Sequence, residues 1–303
     1  MAPRSTAAAA GLILLLLVAG CGADDPGGDG RIVLATTTQV ADLTRNVAGR
    51  RAEVRQLLHP NSDPHDYEPR PSDAEAVTDA EVVFRSGGEL DDWLGDLIES
   101  AGGDSSVVSL MDAVGARGKD PHWWQDPRKA ERAVSTIRDE LTEADPGGRS
   151  AYARNAAAYR RRLRTLDRKV ARCIRRLPPA RRRLVTTHDA LGHYADRYGI
   201  EVIGALIPSR STEAQASAGD TADLVRQIRK EDVQAIFPES ALNPKLERAV
   251  SREAGVVVGD PLWADTLGEG GSSGATYIDS IAANTAALAK GLSGGRLRCM
   301  PRA

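Results

Sequence analysis

The chain has 303 residues, with 40 Lys and Arg against 42 Asp and Glu and a formal net charge of −2 at pH 7. This near balance argues against a nucleic-acid partner, because such partners select strongly basic surfaces. The length and the 41% hydrophobic content are enough for two α/β lobes of ordinary domain size.

The N-terminus predicts export. Arg4 precedes an apolar run over 12–18, and small residues then lead to Cys21. This is the pattern of a secretory signal, and the run is too short for a comfortable transmembrane helix. The four residues that end at Cys21 resemble a bacterial lipoprotein signal, in which this cysteine is lipidated. We predict a signal peptide over 1–20 and a flexible tether rich in Gly and Asp over 21–30. An ordinary secretory signal or an uncleaved anchor is the alternative.

Short apolar runs alternate with helical patterns in both halves of the chain. This alternation predicts an α/β fold with parallel sheets that have helices on both faces. The predicted strands cover 31–37, 53–58, 81–85, 106–110, 183–187, 200–205, 235–237 and 256–259.

A different pattern lies between the halves. After Asp145 and Pro146, apolar residues recur every three or four positions from Tyr152 to Leu177, which predicts one long helix. Its outer face is rich in arginine, and we expect that face to be solvated; contact with anionic lipid is the alternative. The predicted units are an N-terminal lobe over 31–145, a connecting helix over 146–177, a C-terminal lobe over 178–292 and a tail over 293–303.

Histidine is scarce, with five residues in the chain, yet three occur where a metal site would need them. His65 lies in a proline-bounded loop after a predicted strand, His122 lies in an Asp-Pro-His segment, and His188 directly follows a strand. Open α/β sheets bind ligands beyond the carboxyl ends of their strands. Neutral imidazole is the commonest nitrogen ligand of zinc, so three imidazoles and one carboxylate predict a tetrahedral site. Satisfied core or surface histidines are the alternative.

The fourth ligand is predicted to be Asp260, which follows the last predicted strand. Glu239 occupies a similar strand end and is either a rival ligand or a residue that orients an imidazole. His59 is a second rival, because it is six residues before His65. His193 is expected to pack away from the site, since its helical offset from His188 points it elsewhere.

Two further cysteines, Cys173 and Cys299, belong to a compartment where disulfides persist. They are either paired, which would fasten the C-terminal tail to the body of the protein, or separate thiols. Neither lies in a Cys-x-x-Cys pair or near a candidate histidine in sequence, so a zinc-ligand role is not expected.

These motifs, in this order, resemble the ZnuA-like (cluster A-I) solute-binding lipoproteins of bacterial ABC transporters for zinc and manganese. The resemblance covers nearly the whole mature chain. It rests on 63–69, Asp120-Pro121-His122 with Asp126-Pro127, 187–192, 197–199, 211–213 and Asp260-Pro261-Leu262.

The family architecture implies two α/β lobes joined by one long rigid helix, with the metal in the cleft between the lobes. It also implies that His65, His122, His188 and Asp260 bind the metal. Manganese-type members tend to carry glutamate at the third position, so His188 looks like the zinc-type version, and nitrogen ligands favour zinc on physical grounds. The segment 112–120 is short and contains no histidine, unlike the His-rich loop of many zinc members.

The sequence therefore predicts a receptor outside the cytoplasm, lipid-anchored or periplasmic, that captures Zn²⁺ for an ABC permease and is not an enzyme. The expected partners are the permease and, as one option, an exported zinc chaperone; the receptor itself is expected to be a monomer. A manganese receptor of the same family is one alternative. The others are an exported zinc hydrolase, with Glu68 or Glu239 as general base, and an adhesin or metallochaperone.

Overall fold

The computed structural model describes Met1 and residues 30–102, 105–116 and 120–302. Apart from Met1, the predicted signal peptide lies outside the described residues, as do Cys21 and all but the last residue of the predicted tether. Within the described ranges, no helix combines the length and the apolar character needed to cross a membrane.

The first half forms a four-stranded parallel sheet with the order β2-β1-β3-β4. Three of the four residues in each of the central strands β1 and β3 are buried, as expected for strands covered by helices on both faces. The strands are β1 (Ile32–Ala35), β2 (Glu53–Gln56), β3 (Val82–Arg85) and β4 (Ser106–Ser109). The helices are α1 (Thr38–Ala48), α2 (Pro71–Asp79), α3 (Trp93–Ala101) and α4 (Leu110–Ala113), with a 3₁₀ turn at Gly88–Asp91.

The second half repeats this strand order. Two parallel pairs, β5 with β6 and β7 with β8, meet through a bridge between Thr186 and Phe237, which gives β6-β5-β7-β8. The strands are β5 (Arg183–Thr186), β6 (Glu201–Ala205), β7 (Ala235–Ile236) and β8 (Val257–Val258). The helices are α7 (Gly192–Tyr198), α8 (Ala218–Lys230) and α9 (Lys245–Ala254). Because all strands in a half are parallel, each half gathers its carboxyl strand ends at one edge.

Long helices connect and cover the two halves: α5 (Pro127–Ala144), α6 (Arg149–Ile174) and α10 (Tyr277–Leu292). With 26 residues, α6 spans about 39 Å. It is shorter than predicted because Pro146–Gly148 form a separate 3₁₀ turn, in which the Asp145 carboxylate accepts the Gly148 N–H. The helix packs against α5, α1 and α10, and one hydrophobic core runs through residues of both halves.

The C-terminal tail is fastened to the end of α6. A disulfide joins Cys173 in α6 to Cys299 in the tail, with the two Cα atoms 6.2 Å apart. The expected α/β class, with parallel sheets flanked by helices and one long helix, is confirmed. The exact lobe boundaries stay a prediction.

Candidate metal centre

His65 lies in the irregular loop between β2 and α2. The Asp63 carboxylate accepts the His65 backbone N–H at 2.9 Å, and Pro64 restricts the backbone between them. The other Asp63 oxygen accepts a hydrogen bond from the Thr212 hydroxyl at 2.7 Å, so the loop is also attached to the second half. The His65 side chain is only 4% exposed.

His122 is held by the same tripeptide, Asp-Pro-His, but more tightly. One oxygen of Asp120 accepts the His122 backbone N–H at 3.0 Å and also lies 2.7 Å from the ring Nδ1. The indole of Trp124 packs edge-on to the ring, with the centroids 5.5 Å apart. The His122 side chain is fully buried.

His188 comes two residues after the carboxyl end of β5. Its Nδ1 lies 2.6 Å from Glu239, which follows β7 by three residues, and its side chain is fully buried. Parallel strands end at the same edge of the sheet, and this brings the histidine and the glutamate together. Glu239 therefore has the orienting position that the sequence allowed for it, and it is not in the group of converging ligand atoms.

The carboxylate that meets the three histidines is Asp265, so the choice of Asp260 was wrong. Asp260 is about half exposed and forms an ion pair with Lys290 at 2.8 Å. The strand predicted over 256–259 is observed as β8, which has only two residues. The chain runs on past the exposed Asp260 before it reaches the buried ligand group. Asp265 is 7% exposed.

Contacts from both halves fix the segment that carries Asp265. Leu262 forms a β-bridge with Glu239. The Ala264 carbonyl accepts hydrogen bonds from the Trp124 indole at 2.9 Å and from the Gln125 side chain at 2.7 Å. The Leu267 backbone N–H donates to the Thr38 hydroxyl at 2.8 Å. Trp124 thus both shields His122 and joins the halves.

Among the described residues, His65, His122, His188 and Asp265 form one group whose ligand atoms all lie within 4.8 Å of one another. Asp265 oxygens lie 3.4 Å from His65 Nε2, 3.4 Å from His122 Nε2 and 3.0 Å from His188 Nε2. His122 Nε2 and His188 Nε2 are 3.4 Å apart. A tetrahedral ion with ligands at about 2.0–2.1 Å separates its ligand atoms by about 3.3–3.4 Å, so these spacings fit such a shell.

The hydrogen bonds around the rings direct lone pairs into the centre. When the Nδ1–H groups of His122 and His188 donate to Asp120 and Glu239, each Nε2 is left as an acceptor that faces the other. His65 Nε2 and both Asp265 oxygens are buried and have no hydrogen-bond partner among the described residues. Buried acceptors that converge without donors suit a cation.

The pKa values of the site reflect strong coupling between these groups. Burial lowers the pKa of His188, but Asp265 and Glu239 outweigh this effect and raise it to about 11. Burial raises the pKa of Asp265, but the charges of His188 and His122 hold it well below its usual value. Burial is also the main reason why the pKa of Glu239 is raised. The carboxylates of Asp265 and Glu239 thus favour positive charge at the centre of this group.

The remaining candidates lie elsewhere. His59 and Glu68 are exposed and belong to no group of ligand atoms in the described part of the chain. His193 lies 2.7 Å from the Lys129 ammonium and 3.2 Å from the Asp120 carbonyl, in agreement with the expectation that it packs away from the ligand group. Asp120, to which the sequence analysis gave no role, is the main addition to the site.

The comparisons with known proteins agree with this geometry. The family model of ZnuA, the periplasmic component A of the zinc-uptake complex, matches residues 33–291. The chain belongs to this family.

Two similar relatives differ in metal. The manganese-binding lipoprotein MntA of Halalkalibacterium halodurans is 32% identical, over 93% of this chain and 96% of that protein. The zinc-binding protein TroA of Treponema pallidum is 31% identical, over 89% and 92%. The solved structure of the periplasmic zinc-binding protein TroA superimposes with a TM-score of 0.82 at 29% identity, and it covers 87% of this chain and 99% of that one.

Membership settles the class of protein. The family consists of metal-binding receptors of ABC transporters rather than enzymes, so the hydrolase alternative is excluded. The chain is exported and membrane-anchored, like the lipoproteins that it matches.

Proposed function

We propose that His65, His122, His188 and Asp265 bind one Zn²⁺ ion, which the receptor delivers to its ABC permease. The observation that carries the proposal is the meeting of three imidazole nitrogens and one carboxylate at tetrahedral spacing. Zinc has no preference for six ligands and accepts this mixture of nitrogen and oxygen. A closed shell of four protein ligands suits capture rather than catalysis, since it leaves no position for a reactive water.

Manganese is the second candidate, and a specific observation favours it. Two of the matching relatives, at 32% and 31% identity, are manganese-binding lipoproteins. Both oxygens of Asp265 face the histidines, so a bidentate carboxylate would supply a fifth ligand atom. Manganese favours oxygen ligands in octahedral sites, however, and three nitrogens with one carboxylate meet that preference poorly.

The test is calorimetric titration of the metal-stripped protein with Zn²⁺ and, separately, with Mn²⁺. We expect one-to-one binding that is much tighter for zinc. Asp265→Asn should weaken zinc binding about a hundredfold or more, because it removes the only negative ligand of the proposed shell. Asp260→Asn is the matched control and should bind zinc like the wild type. Tighter manganese binding, or a loss with Asp260→Asn alone, would refute the assignment.

The proposal extends to how the receptor is loaded. All four groups come from one chain, so a monomer is sufficient, and sedimentation of the loaded protein checks this. Since 112–120 contains no histidine, we infer that zinc arrives free or from a separate exported chaperone. Loading rates that stay unchanged with each exported candidate chaperone would argue against the second route.

A further inference from the structure

Basic charge is concentrated on α6 and the turn that follows it. Residues 149–176 contain eleven Lys and Arg and a single acid, Asp167, whereas the whole chain has slightly more acids than bases. Asp167 is buried and forms an ion pair with Arg197 at 2.7 Å, so it does not neutralise the outer side of the helix. Acidic residues therefore predominate in the rest of the protein.

Much of this charge is exposed. Arg160 and Arg164 form ion pairs with Glu131. By contrast, Arg161, Arg172 and Arg176 are exposed, and their side chains have no ion-pair or hydrogen-bond partner in the described ranges. We call the exposed cations of this helix and of the turn after it, which include Arg161, Arg172 and Arg176, the basic face. Nine of the eleven cations lie on α6 itself, and Arg175 and Arg176 follow in the next turn, so one element is strongly basic in a chain that is close to neutral overall.

A cleft lies where the basic face meets the C-terminal tail. Its volume is about 230 Å³, and Lys169, Arg172 and Arg176 line it together with Cys299, Met300 and Pro301. Positions 169, 172 and 176 share one side of the helix. Met300 is half exposed beside these cations, and the disulfide to Cys173 fixes the tail there. Cations around an exposed apolar side chain suit a surface with phosphate groups above hydrocarbon.

The place where the predicted tether joins the folded protein also favours a lipid surface as the partner. Arg31, which directly follows the predicted tether, donates to the Ala144 carbonyl at 3.1 Å, five residues before α6 begins. The first residues of the folded protein that follow the predicted tether thus lie beside the start of this helix. Because the anchor keeps the protein near lipid, even weak attraction can hold the basic face there.

We propose that the basic face lies on the anionic lipid of the membrane to which the receptor is anchored, with a headgroup phosphate in the cleft between Lys169, Arg172 and Arg176. Helix α6 starts near the amino end of β1 in space, and its last residue precedes the amino end of β5 closely in sequence. The basic face is therefore associated with the amino ends of the strands, whereas the metal centre lies beyond their carboxyl ends. In this pose the metal centre faces away from the lipid, which suits the capture of an ion from outside. Delivery to a permease then requires the receptor to leave the pose.

The test uses the lipidated mature chain in vesicles of phosphatidylcholine alone, or with about 30% phosphatidylglycerol. Modification of each arginine by phenylglyoxal is followed by mass spectrometry. We expect Arg161, Arg172 and Arg176 to react about fivefold more slowly in the anionic vesicles and to recover at about 0.5 M NaCl, where charge attraction is screened. Arg248, exposed near the start of α9, should react equally in both.

Charge-reversal variants separate this face from net charge. Arg172→Glu with Arg176→Glu should abolish the protection of Arg161. Lys245→Glu with Arg248→Glu changes the net charge equally and should preserve that protection. Unchanged zinc binding in both double variants shows that they are folded.

Three results would overturn the proposal. One is equal reactivity of Arg161 in the two kinds of vesicle. Another is protection that appears in neutral vesicles and grows with protein density, because a second protein copy would then cover the face. The last is loss of protection in the control variant.

Discussion

The two Asp-Pro-His segments place their histidines in one cluster, but they hold them differently. Asp120 binds both the backbone N–H and the ring Nδ1 of His122. Asp63 binds only the backbone N–H of His65 and uses its other oxygen to reach Thr212 in the second half. The same tripeptide therefore orients a ring in one place and connects two parts of the protein in the other.

This difference shows how the site divides its tasks. His122 is prepared for a metal before it arrives, since its ring is buried, packed edge-on against Trp124 and hydrogen-bonded to Asp120. His188 is prepared in the same way by Glu239. His65 lies on an irregular loop that is joined to the second half by the Thr212–Asp63 hydrogen bond and by the Asn61 backbone N–H, which donates to the Leu267 carbonyl at 3.0 Å. Unlike the rings of His122 and His188, its ring has no carboxylate partner at Nδ1 among the described residues. We therefore expect His65 to be the ligand that adjusts most on binding.

The largest effect should come from removing a histidine of either segment. His122→Ala should weaken zinc binding about a hundredfold to a thousandfold, as loss of one of four ligands implies. His65→Ala should cost somewhat less, because ordering its loop uses part of the free energy that its bond supplies. His59→Ala is the control and should have no effect. Competition with a chelator of known affinity measures all three. Equal losses for His65 and His59 would remove His65 from the site.

A smaller effect should distinguish the two aspartates. Asp120→Asn should weaken zinc binding about 10- to 100-fold, the usual result of disturbing a group that orients a ligand. Asp63→Asn should change it by less than about threefold, because the amide oxygen can still accept the His65 N–H and no ring depends on it. The same chelator competition applies. A greater loss of zinc affinity with Asp63→Asn than with Asp120→Asn would contradict the proposed difference between the two segments.

The pH dependence should report the third histidine. With its pKa raised to about 11, His188 is protonated in the metal-free protein at neutral pH, and binding must release that proton. Zinc affinity should therefore rise with pH by at least about tenfold per unit between about pH 6 and 8. Titrations in buffers of different ionisation enthalpy count the released protons. An affinity that is flat over this range would contradict ligation by His188.

The smallest effect on metal binding should follow loss of the disulfide. Cys173→Ala with Cys299→Ala should lower the free energy of unfolding by about 2–5 kcal/mol, because the bond closes a long loop. Zinc affinity should not change, since the bond lies at the end of α6 and involves no residue of the metal centre. Denaturant unfolding and zinc titration on the same sample measure both quantities. A large loss of affinity would mean that the tail supports the site.

Local patterns in the sequence predicted much of the fold. All eight expected strands are present, because short apolar runs between helical patterns are easy to recognise even where the edge strands β4, β6 and β8 are exposed or half-buried. The predicted helix over 146–177 was three residues too long at each end, because Pro146–Gly148 form a separate 3₁₀ turn and the helix already ends at Ile174, ahead of two prolines at 178 and 179. The common strand order of the halves was not predicted, since order depends on contacts between distant segments.

The site shows the same limit. His188 could be located because it follows the end of β5 by only two residues, and the direction of a strand fixes the place of the next residues. Asp265 could not, because it lies seven residues after β8, on a segment that is positioned by hydrogen bonds to Trp124, Gln125 and Thr38. A rule based on strand ends selects Asp260 instead. The role of Asp120 was not predicted, although it stands at the same place before His122 as Asp63 does before His65.

The most direct test of the central claim is anomalous X-ray diffraction at the zinc edge from crystals of the zinc-loaded protein. We expect one peak about 2.0–2.2 Å from Nε2 of His65, His122 and His188 and from a carboxylate oxygen of Asp265. A peak beside Asp260, or a peak that lacks any one of the four ligands, would contradict the account.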